Sequence, residues 1–181
     1  SEYAVTKLSS VRNGNEQTLV IGKREGAYKD MPLVRPFKVK VLSSLIPQSV
    51  TVNGHPAKYQ YSGEDFALLI DVPAQACDQE KVVKIVYPSE KVDLNGLLGA
   101  SRRIAKSMEQ LKYRNSYIVF KEEFGKMGSL SEAVTYAPSE MPALIADFWK
   151  SYNELPAVLE RQGMKSDLAT WFLQSVCWSK R

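Results

Sequence analysis

The chain contains one histidine, His55, among its 181 residues. A Ser-His-Asp triad needs a histidine as its general base, and catalytic zinc sites commonly use two or three histidine ligands. A multi-histidine metal centre is therefore excluded, and a triad would depend on His55 alone. Because His55 directly follows the turn signal Asn53-Gly54, we predict that it is an exposed loop residue.

Carboxylates are the next candidates for chemistry, since the sequence contains the adjacent pairs Glu64-Asp65 and Glu122-Glu123. Glycoside hydrolysis requires two carboxyl groups that face each other across a sugar, about 5 to 9.5 Å apart. Residues adjacent in sequence on a helix or a strand point in different directions. We therefore predict that both pairs are solvated surface acids, and we predict no catalytic residue in this chain.

The two cysteines, Cys77 and Cys177, lie in opposite halves of the chain and lack C-x-x-C spacing. They could form one disulfide between the halves, but two buried free thiols are the favoured interpretation. The glycines form neither a G-x-x-x-x-G-K-[ST] loop nor a G-x-G-x-x-G turn. We therefore predict no metal and no cofactor.

Aromatic side chains give the most direct indication of ligand binding, because sugar rings stack on flat exposed rings. Tyr59 and Tyr61 share one face of a predicted strand, and Tyr28 lies in a predicted loop. These three tyrosines are the sugar-stacking candidates. The alternative, which we favour, is that their rings cover the core or pack against another module. Helical patterns predict packing roles for the tryptophans, which are Trp149, Trp171 and Trp178.

The segment from Lys23 to Val39, KREGAYKDMPLVRPFKV, carries the most specific pattern in the chain. It resembles the R-E-G-x-Y-x-G-M-P segment in the C-terminal β-sandwich modules of glycoside hydrolase family 31, the α-glucosidase and α-xylosidase family, especially its Bacteroidetes members. Asp30 stands where that family has glycine, but aspartate tolerates a left-handed backbone. We expect an ordered segment with Gly26 in a backbone region costly for other residues. The structural motif residues are Arg24, Glu25, Gly26, Tyr28 and Arg35. We expect the charged residues Arg24, Glu25 and Arg35 to hold the segment by ion pairing.

The resemblance implies a non-catalytic C-terminal accessory module of a larger α-glycosidase. Its partners would be the catalytic (β/α)₈ barrel and the neighbouring domains of that enzyme. The family's two catalytic carboxylates lie in the barrel, N-terminal to this region, and a barrel needs about 250 residues. A periplasmic or cell-surface location is implied for the parent enzyme. The alternative function is a carbohydrate-binding module that stacks oligosaccharides on exposed aromatic rings.

The net charge of +4 is evenly distributed, because residues 1–91 and residues 92–181 each contain 12 Lys and Arg against 10 Asp and Glu. Binding to a phosphate backbone requires a basic patch or run, so we predict no nucleic-acid partner. No apolar run approaches the roughly 18 residues of a membrane span. We therefore predict no membrane partner.

The spacing of apolar residues changes near Asp93 from every second position to about every 3.6. Before that point the alternation predicts seven short strands, at 3–8, 18–21, 37–42, 49–52, 57–61, 66–72 and 82–87. Short strands separated by Gly, Pro and Asn signals indicate an antiparallel β-sandwich. Asn53-Gly54 is predicted to form a hairpin turn, and the continuously apolar strand at 66–72 is predicted to be central.

Beyond Asp93, an apolar stripe from Leu94 to Leu111 predicts the first helix. The residues at 117–120 are assigned to helix. Local signals mark other helix ends: a capping box at Ser129 and Glu132, a kink or split at Pro156, a stop at Gly163, and a cap at Ser166 or Asp167. The sequence therefore predicts an α+β chain with a β-sandwich domain over residues 1–90 and a helical bundle over residues 92–181.

Overall fold

The chain forms two compact units, and the computed structural model describes residues 2–88 and 92–180. The first unit comprises residues 1–62 and 66–91, and the second comprises residues 63–65 and 92–181. Within the described residues, the first unit holds two antiparallel sheets and the second holds helices. The predicted α+β fold class is confirmed. The boundary between the two domains is predicted at 88–93. Residues 89–91 within this range lie outside the described residues.

The first unit contains eight described strands in two sheets. They are β1 (Ala4–Asn13), β2 (Glu16–Gly26), β3 (Val34–Val41), β4 (Ser49–Val52), β5 (His55–Pro56), β6 (Tyr59–Ser62), β7 (Ala67–Ala76) and β8 (Lys81–Val86). One sheet has the order β1-β2-β8-β4-β5, and the other has the order β3-β7-β6. The sequence predicts seven of these strands and misses β5, because two residues are too few to show an alternating pattern.

The hairpin of β1 and β2 is longer than the sequence predicts. The two strands pair as far as Asn13 opposite Glu16, and Gly14 in the turn has a φ of +58°. The dipeptide Asn13-Gly14 is itself a hairpin signal. The added residues include polar ones such as Ser9 and Ser10, which carry no hydrophobic alternation, so the pattern ends too early.

The core of the first unit lies between the central strands of the two sheets. β7 is the central strand of the three-stranded sheet, as predicted, and it buries Leu68 and Ile70 completely. β8 is central in the other sheet and buries Val83 and Ile85 completely. Full burial of an aliphatic side chain contributes roughly 1.5–3 kcal/mol. These contacts therefore hold the two sheets together.

Left-handed backbone residues shape two turns of this unit as predicted. Asn53 and Gly54 have φ values of +51° and +81°, and Val52 pairs with His55 across that turn. Asp30 has a φ of +60°, so aspartate does occupy a left-handed position in the motif segment. Arg24 to Gly26 are the last residues of β2. This part of the motif is therefore strand, and the loop begins after Gly26.

The second unit is a bundle of short helices with an apolar interior. Within the described residues its α-helices are α1 (Leu97–Arg114), α2 (Glu122–Gly128), α3 (Leu130–Tyr136), α4 (Met141–Asn153), α5 (Leu155–Arg161) and α6 (Ser166–Ser175), with a 3₁₀ turn at Pro138–Glu140. Ile104, Leu111, Phe124 and Phe172 are fully buried. The rings of Phe124 and Phe172 meet edge to face at 5.2 Å between centroids.

Two of the predicted helix-end signals are confirmed. Pro156 lies in the first turn of α5, so the long apolar stripe is split into α4 and α5. Gly163 has a φ of +78°, and it ends α5 through bonds from Gly163 N to Glu160 O (2.8 Å) and from Met164 N to Leu159 O (3.1 Å). This pair of bonds is a Schellman motif.

Two predicted caps are wrong. Ser129 precedes α3 but its side chain makes no capping bond; its hydroxyl instead donates to the Gly125 carbonyl at the end of α2 (3.3 Å). The Ser129 backbone is not extended (φ −101°, ψ 11°), and its amide already donates to the Gly125 carbonyl (3.2 Å), so the capping box with Glu132 does not form. Ser166 is already the first residue of α6, and neither Ser166 nor Asp167 caps it.

The helix predicted at 117–120 is also wrong, because this segment is an irregular connection between α1 and α2. The Gln162 side chain replaces the missing backbone partners. Its Nε2 donates to the Val119 carbonyl (2.6 Å), and its Oε1 accepts from the Lys121 amide (2.9 Å). One amide side chain thus pairs with the segment as a neighbouring strand would.

Gly26→Ala is expected to destabilise the first unit by about 2 kcal/mol or more. Gly26 has a φ of +87°, and an added Cβ would lie 2.5 Å from the Tyr3 carbonyl oxygen. The cost combines a left-handed backbone with a clash against backbone. Gly54→Ala is the matched control, because Gly54 has a φ of +81° and nothing lies within 4 Å of its added Cβ.

Urea denaturation of both variants separates these two costs. Gly54→Ala should lose about 1 kcal/mol, the backbone cost alone. Equal losses in the two variants would show that the close approach to Tyr3 has no energetic effect. An unchanged midpoint for Gly26→Ala would contradict the predicted role of the motif glycine.

Candidate interaction surface

β1 is the longest exposed strand of the first unit and lies at the edge of the five-stranded sheet. An edge strand presents a row of unpaired N–H and C=O groups, which is a template for pairing with another segment. β1 has ten residues, and all except Ala4 are exposed. It therefore offers both a backbone edge and uncovered side chains.

The other edge strands each carry a feature that discourages pairing. β5 has two residues and β6 has four, so both are short. β3 is longer, but it contains Pro36, which cannot donate a backbone hydrogen bond, and the charged side chains Lys38 and Lys40. These three edges are protected by length or by composition.

β1 carries fewer of these features, because it is long and contains no proline. Its register against β2 shifts between Thr6 and Leu8, and its two cationic side chains interact within the sheet. Lys7 pairs with Glu25 at 3.5 Å between Nζ and Oε2, and the Arg12 guanidinium lies 4.5 Å from the centroid of the Tyr87 ring. β1 is therefore the least protected edge of the sandwich in length and proline content.

Apolar side chains of β1 are uncovered on both faces of the sheet. Leu8 pairs with Ile21, which is buried, so Leu8 lies on the core-facing side, yet 72% of its surface is exposed. The three-stranded sheet thus leaves Leu8 uncovered. Val5 and Val11 are 43% and 57% exposed, and their register places them on the opposite face. We call these three side chains and the free backbone of the strand the β1 edge.

The three sugar-stacking candidates are not assembled into one platform. Tyr59 and Tyr61 are neighbours on β6, as predicted, but only Tyr59 is exposed. The Tyr61 hydroxyl donates to the Ser44 carbonyl (2.7 Å), which turns this side chain inward. Tyr28 is exposed and lies in the loop after β2, at a small cavity.

A hydrogen-bond chain explains the position of Tyr61. The Ser44 hydroxyl donates to Tyr87 Oη (3.1 Å), and Tyr87 Oη donates to Gln17 Oε1 (2.9 Å). Burial raises the pKa of Tyr61 well above its ordinary value, and the neighbouring Tyr87 adds to this. Burial also raises the pKa of Tyr87, although the Ser44 hydrogen bond and Arg12 oppose the increase. Both phenols are therefore held neutral.

The remaining motif residues hold the segment by means other than the expected ion pairs, with one exception. Arg24 Nη1 donates to the Pro32 carbonyl. Glu25 pairs with Lys7, as described above. The Arg35 guanidinium lies 5.8 Å from the centroid of the Phe37 ring. The segment is therefore fixed mainly by a carbonyl contact and an aromatic contact.

The candidate acids are held apart by separate partners. Glu123 accepts two bonds from Arg161, at 2.9 and 3.2 Å, and these lower the pKa of its carboxyl. Glu122 pairs with Lys126 at 2.5 Å, which lowers the pKa of Glu122. Asp65 accepts from Arg102 Nη2 (2.8 Å). Each of these three carboxylates is ion-paired on the surface, and Glu122 and Glu123 line one cleft of about 910 Å³ together with Glu140 and Asp147.

The histidine and the cysteines have separate surroundings. His55 is exposed in β5, on the rim of an apolar groove of about 590 Å³ that is also lined by Phe37 and Val72. Cys77 and Cys177 are free thiols. Cys77 is buried as expected, but Cys177 is exposed, because it ends α6 with a φ of +50°. Within the described residues, no group of His, Cys, Asp and Glu could hold a metal ion.

Sequence reasoning misses two highly exposed aromatic side chains in the helical unit. Tyr113 and Tyr117 are 84% and 93% exposed, and Val119 is also exposed. The sequence does indicate that Tyr113 is exposed, since this residue lies outside the apolar stripe of α1. The β1 edge has no comparable signal, because an edge position depends on which strands pair.

Comparison with protein-family models, with curated proteins and with solved structures finds no match to this chain. In the part of the chain that the structure describes, no helix is both long and apolar enough to cross a membrane. The surface geometry is therefore the basis for a functional proposal.

The two buried phenols predict a loss of stability at alkaline pH. Their folded-state pKa values are raised, so their contribution is present below the unfolded pKa of about 10. As the pH rises above 10, the unfolded chain loses these protons first, and the free energy of unfolding falls by about 1 kcal/mol or less per pH unit for each tyrosine.

Urea unfolding between pH 8 and pH 11 measures this slope. Tyr61→Phe and Tyr87→Phe should each flatten it, and Tyr113→Phe controls for the loss of a phenol from the surface. A slope that neither core substitution changes would be inconsistent with the buried hydrogen-bond chain.

Proposed function

We propose that this chain is a non-catalytic C-terminal accessory module of a family 31 glycosidase, and that it supports the catalytic barrel by domain packing. The β1 edge is the observation that carries this proposal. The resemblance of the Lys23–Val39 segment is the basis for proposing this family. The β1 edge supplies a surface through which such a module would pack.

The composition of the β1 edge supports a protein partner. A long edge strand with apolar side chains on both faces favours aggregation when it is open to solvent. A partner that pairs with the backbone and covers Val5, Leu8 and Val11 removes this exposure. In β-strand addition, the backbone bonds provide affinity and alternate side chains provide specificity.

The position of β1 in the chain supports a partner from the same polypeptide. In the family that the segment resembles, the catalytic barrel precedes the C-terminal modules. β1 begins at Ala4 and is thus the described element nearest to such a barrel along the chain. The occupant we propose for the β1 edge is the domain that precedes it in the parent enzyme.

The ion pairing of the candidate acids supports the non-catalytic part of this proposal. The three carboxylates described above are tied to arginine or lysine, and hydrolysis needs two that face each other across a sugar. We expect no turnover of nitrophenyl α-glucoside or α-xyloside by the chain alone.

The packing proposal is tested with the polypeptide encoded immediately upstream of this chain. We expect that polypeptide to contain a barrel sequence and to bind this chain when the two are expressed separately. Leu8→Lys should raise the dissociation constant at least tenfold, because a charge would enter a desolvated surface. Val119→Lys, an exposed apolar residue of the helical unit, is the matched control.

Hydrogen exchange locates the contact independently. The β1 amides at the free edge should exchange more slowly in the complex than in the isolated chain. An upstream sequence without a barrel would reject the family assignment. Binding that Leu8→Lys leaves unchanged would reject the β1 edge as the contact.

A carbohydrate-binding module remains the second candidate function, and the exposed pair Tyr113 and Tyr117 favours it. Calorimetric titration with maltooligosaccharides and xyloglucan fragments measures it directly. We expect no saturable heat, because Tyr61 is turned inward and leaves Tyr59 without a second exposed ring on β6. Micromolar binding lost on Tyr59→Ala or Tyr117→Ala would make sugar binding the primary function.

A further inference from the structure

Three cationic side chains of the first unit line one small cavity. Arg24 and Arg35 come from the two ends of the motif segment, and Lys81 comes from β8. The cavity has a volume of about 80 Å³. Its other lining includes Thr6 and Tyr28, which carry hydroxyl groups. The motif thus brings positive charge and neutral hydrogen-bond donors to one place.

Lys81 is the most constrained of these cations, because only 1% of its surface is exposed. Its Nζ donates to the carbonyls of Ala76 and Gln79, both at 2.6 Å. An ammonium group has three N–H donors, so one remains for a ligand. A buried charge is costly unless it is paired, and these two acceptors are neutral carbonyls.

The two arginines also keep donors for a ligand. An arginine has five N–H donors. The described bond of Arg24 uses Nη1, which donates to the Pro32 carbonyl. Arg35 contacts the face of the Phe37 ring, and in the described part of the chain it donates to no carbonyl or carboxylate. Lys81 Nζ lies 5.8 Å from the centroid of the same ring, so the cations from β3 and β8 converge on Phe37.

The charge of this site is not balanced by its lining. Among the described residues that line the cavity, none is acidic. The nearest carboxylate in sequence to Arg24 is Glu25, and it pairs with Lys7. Lys81 is buried, Arg24 is half-buried and Arg35 is exposed, so solvent screens part of their mutual repulsion, and an anion bound between them offsets the remainder.

We propose that this cavity is a binding site for one oxyanion group, a carboxylate or a phosphate-type anion. The volume is consistent with such a group, since one water molecule occupies about 30 Å³ of liquid. Arginine donors match the planar oxygens of a carboxylate and the oxygens of phosphate, and Lys81 supplies a point charge. The three cations of this site lie outside β1, and anion binding by this chain requires no domain partner, so the two proposals are tested separately.

Two sources could provide the oxyanion. One is a free inorganic anion, and the other is an acidic side chain of an adjoining domain. Sodium phosphate and sodium acetate distinguish them as probes, because phosphate is tetrahedral and acetate has the carboxylate of Asp and Glu. Sodium chloride at the same ionic strength controls for screening.

The experiment measures the thermal midpoint and the ¹⁵N-¹H signals of the arginine Nε groups while each probe is titrated into the whole chain. We expect saturable stabilisation at millimolar concentration, with shifts in the Arg24 and Arg35 signals. Stronger binding of acetate would indicate an acidic side chain as the natural ligand. Stronger binding of phosphate would indicate a free anion.

Variants assign the binding to the cavity. Arg35→Gln should weaken binding about tenfold, because it removes charge-assisted hydrogen bonds. Arg24→Gln should weaken it similarly and provides a second variant if the first does not fold. Lys23→Gln makes the same charge change at a residue that does not line the cavity. Absence of saturable binding in the unmodified chain, or equal weakening by Lys23→Gln, would overturn the proposal.

Discussion

The apolar contact between the two sheets is the interaction on which the sandwich depends. Leu68 and Ile70 on β7 and Val83 and Ile85 on β8 are completely buried, and each strand is flanked by partners in its own sheet. A sheet of three strands cannot cover the whole face of a sheet of five. The uncovered side of Leu8 follows from this difference in width. The same contact that stabilises the unit therefore leaves β1 available to a partner.

Polar groups buried beside this apolar core set the specificity of the arrangement. The chain of hydrogen bonds from Tyr61 through Ser44 and Tyr87 to Gln17 links residues of both sheets. Each buried polar atom needs a partner, because an unsatisfied one costs about 1–3 kcal/mol. A shift of either sheet would break several of these bonds together. Lys81 is also buried and hydrogen-bonded, but its two acceptors are neutral carbonyls. The described lining of its cavity contains no acid that would balance its charge.

Local chemistry in the sequence predicts those features that depend on neighbouring residues. Asn53-Gly54 specifies its turn because both residues accept a positive φ, and Gly163 ends its helix for the same reason. The capping box fails because the Ser129 amide, which Glu132 would have to bond, already donates to a carbonyl of the preceding helix. The β1 edge and the cavity of Arg24, Arg35 and Lys81 were beyond prediction. Both depend on strand order, which joins residues far apart in the sequence.

The Gln162 side chain, which pairs with the backbone of the connection between α1 and α2, has a consequence for how this protein can change in evolution. Its two bonds reach the Val119 carbonyl and the Lys121 amide, which every residue except proline at 121 retains. These two bonds do not involve the exposed side chains of Tyr117 and Val119, whereas the Phe120 ring packs edge to face on Phe124 and helps to fix the connection. Tyr117 and Val119 can be replaced while the backbone keeps its course. This connection is thus a place where new peptide sequences can be grafted and displayed on a fixed frame.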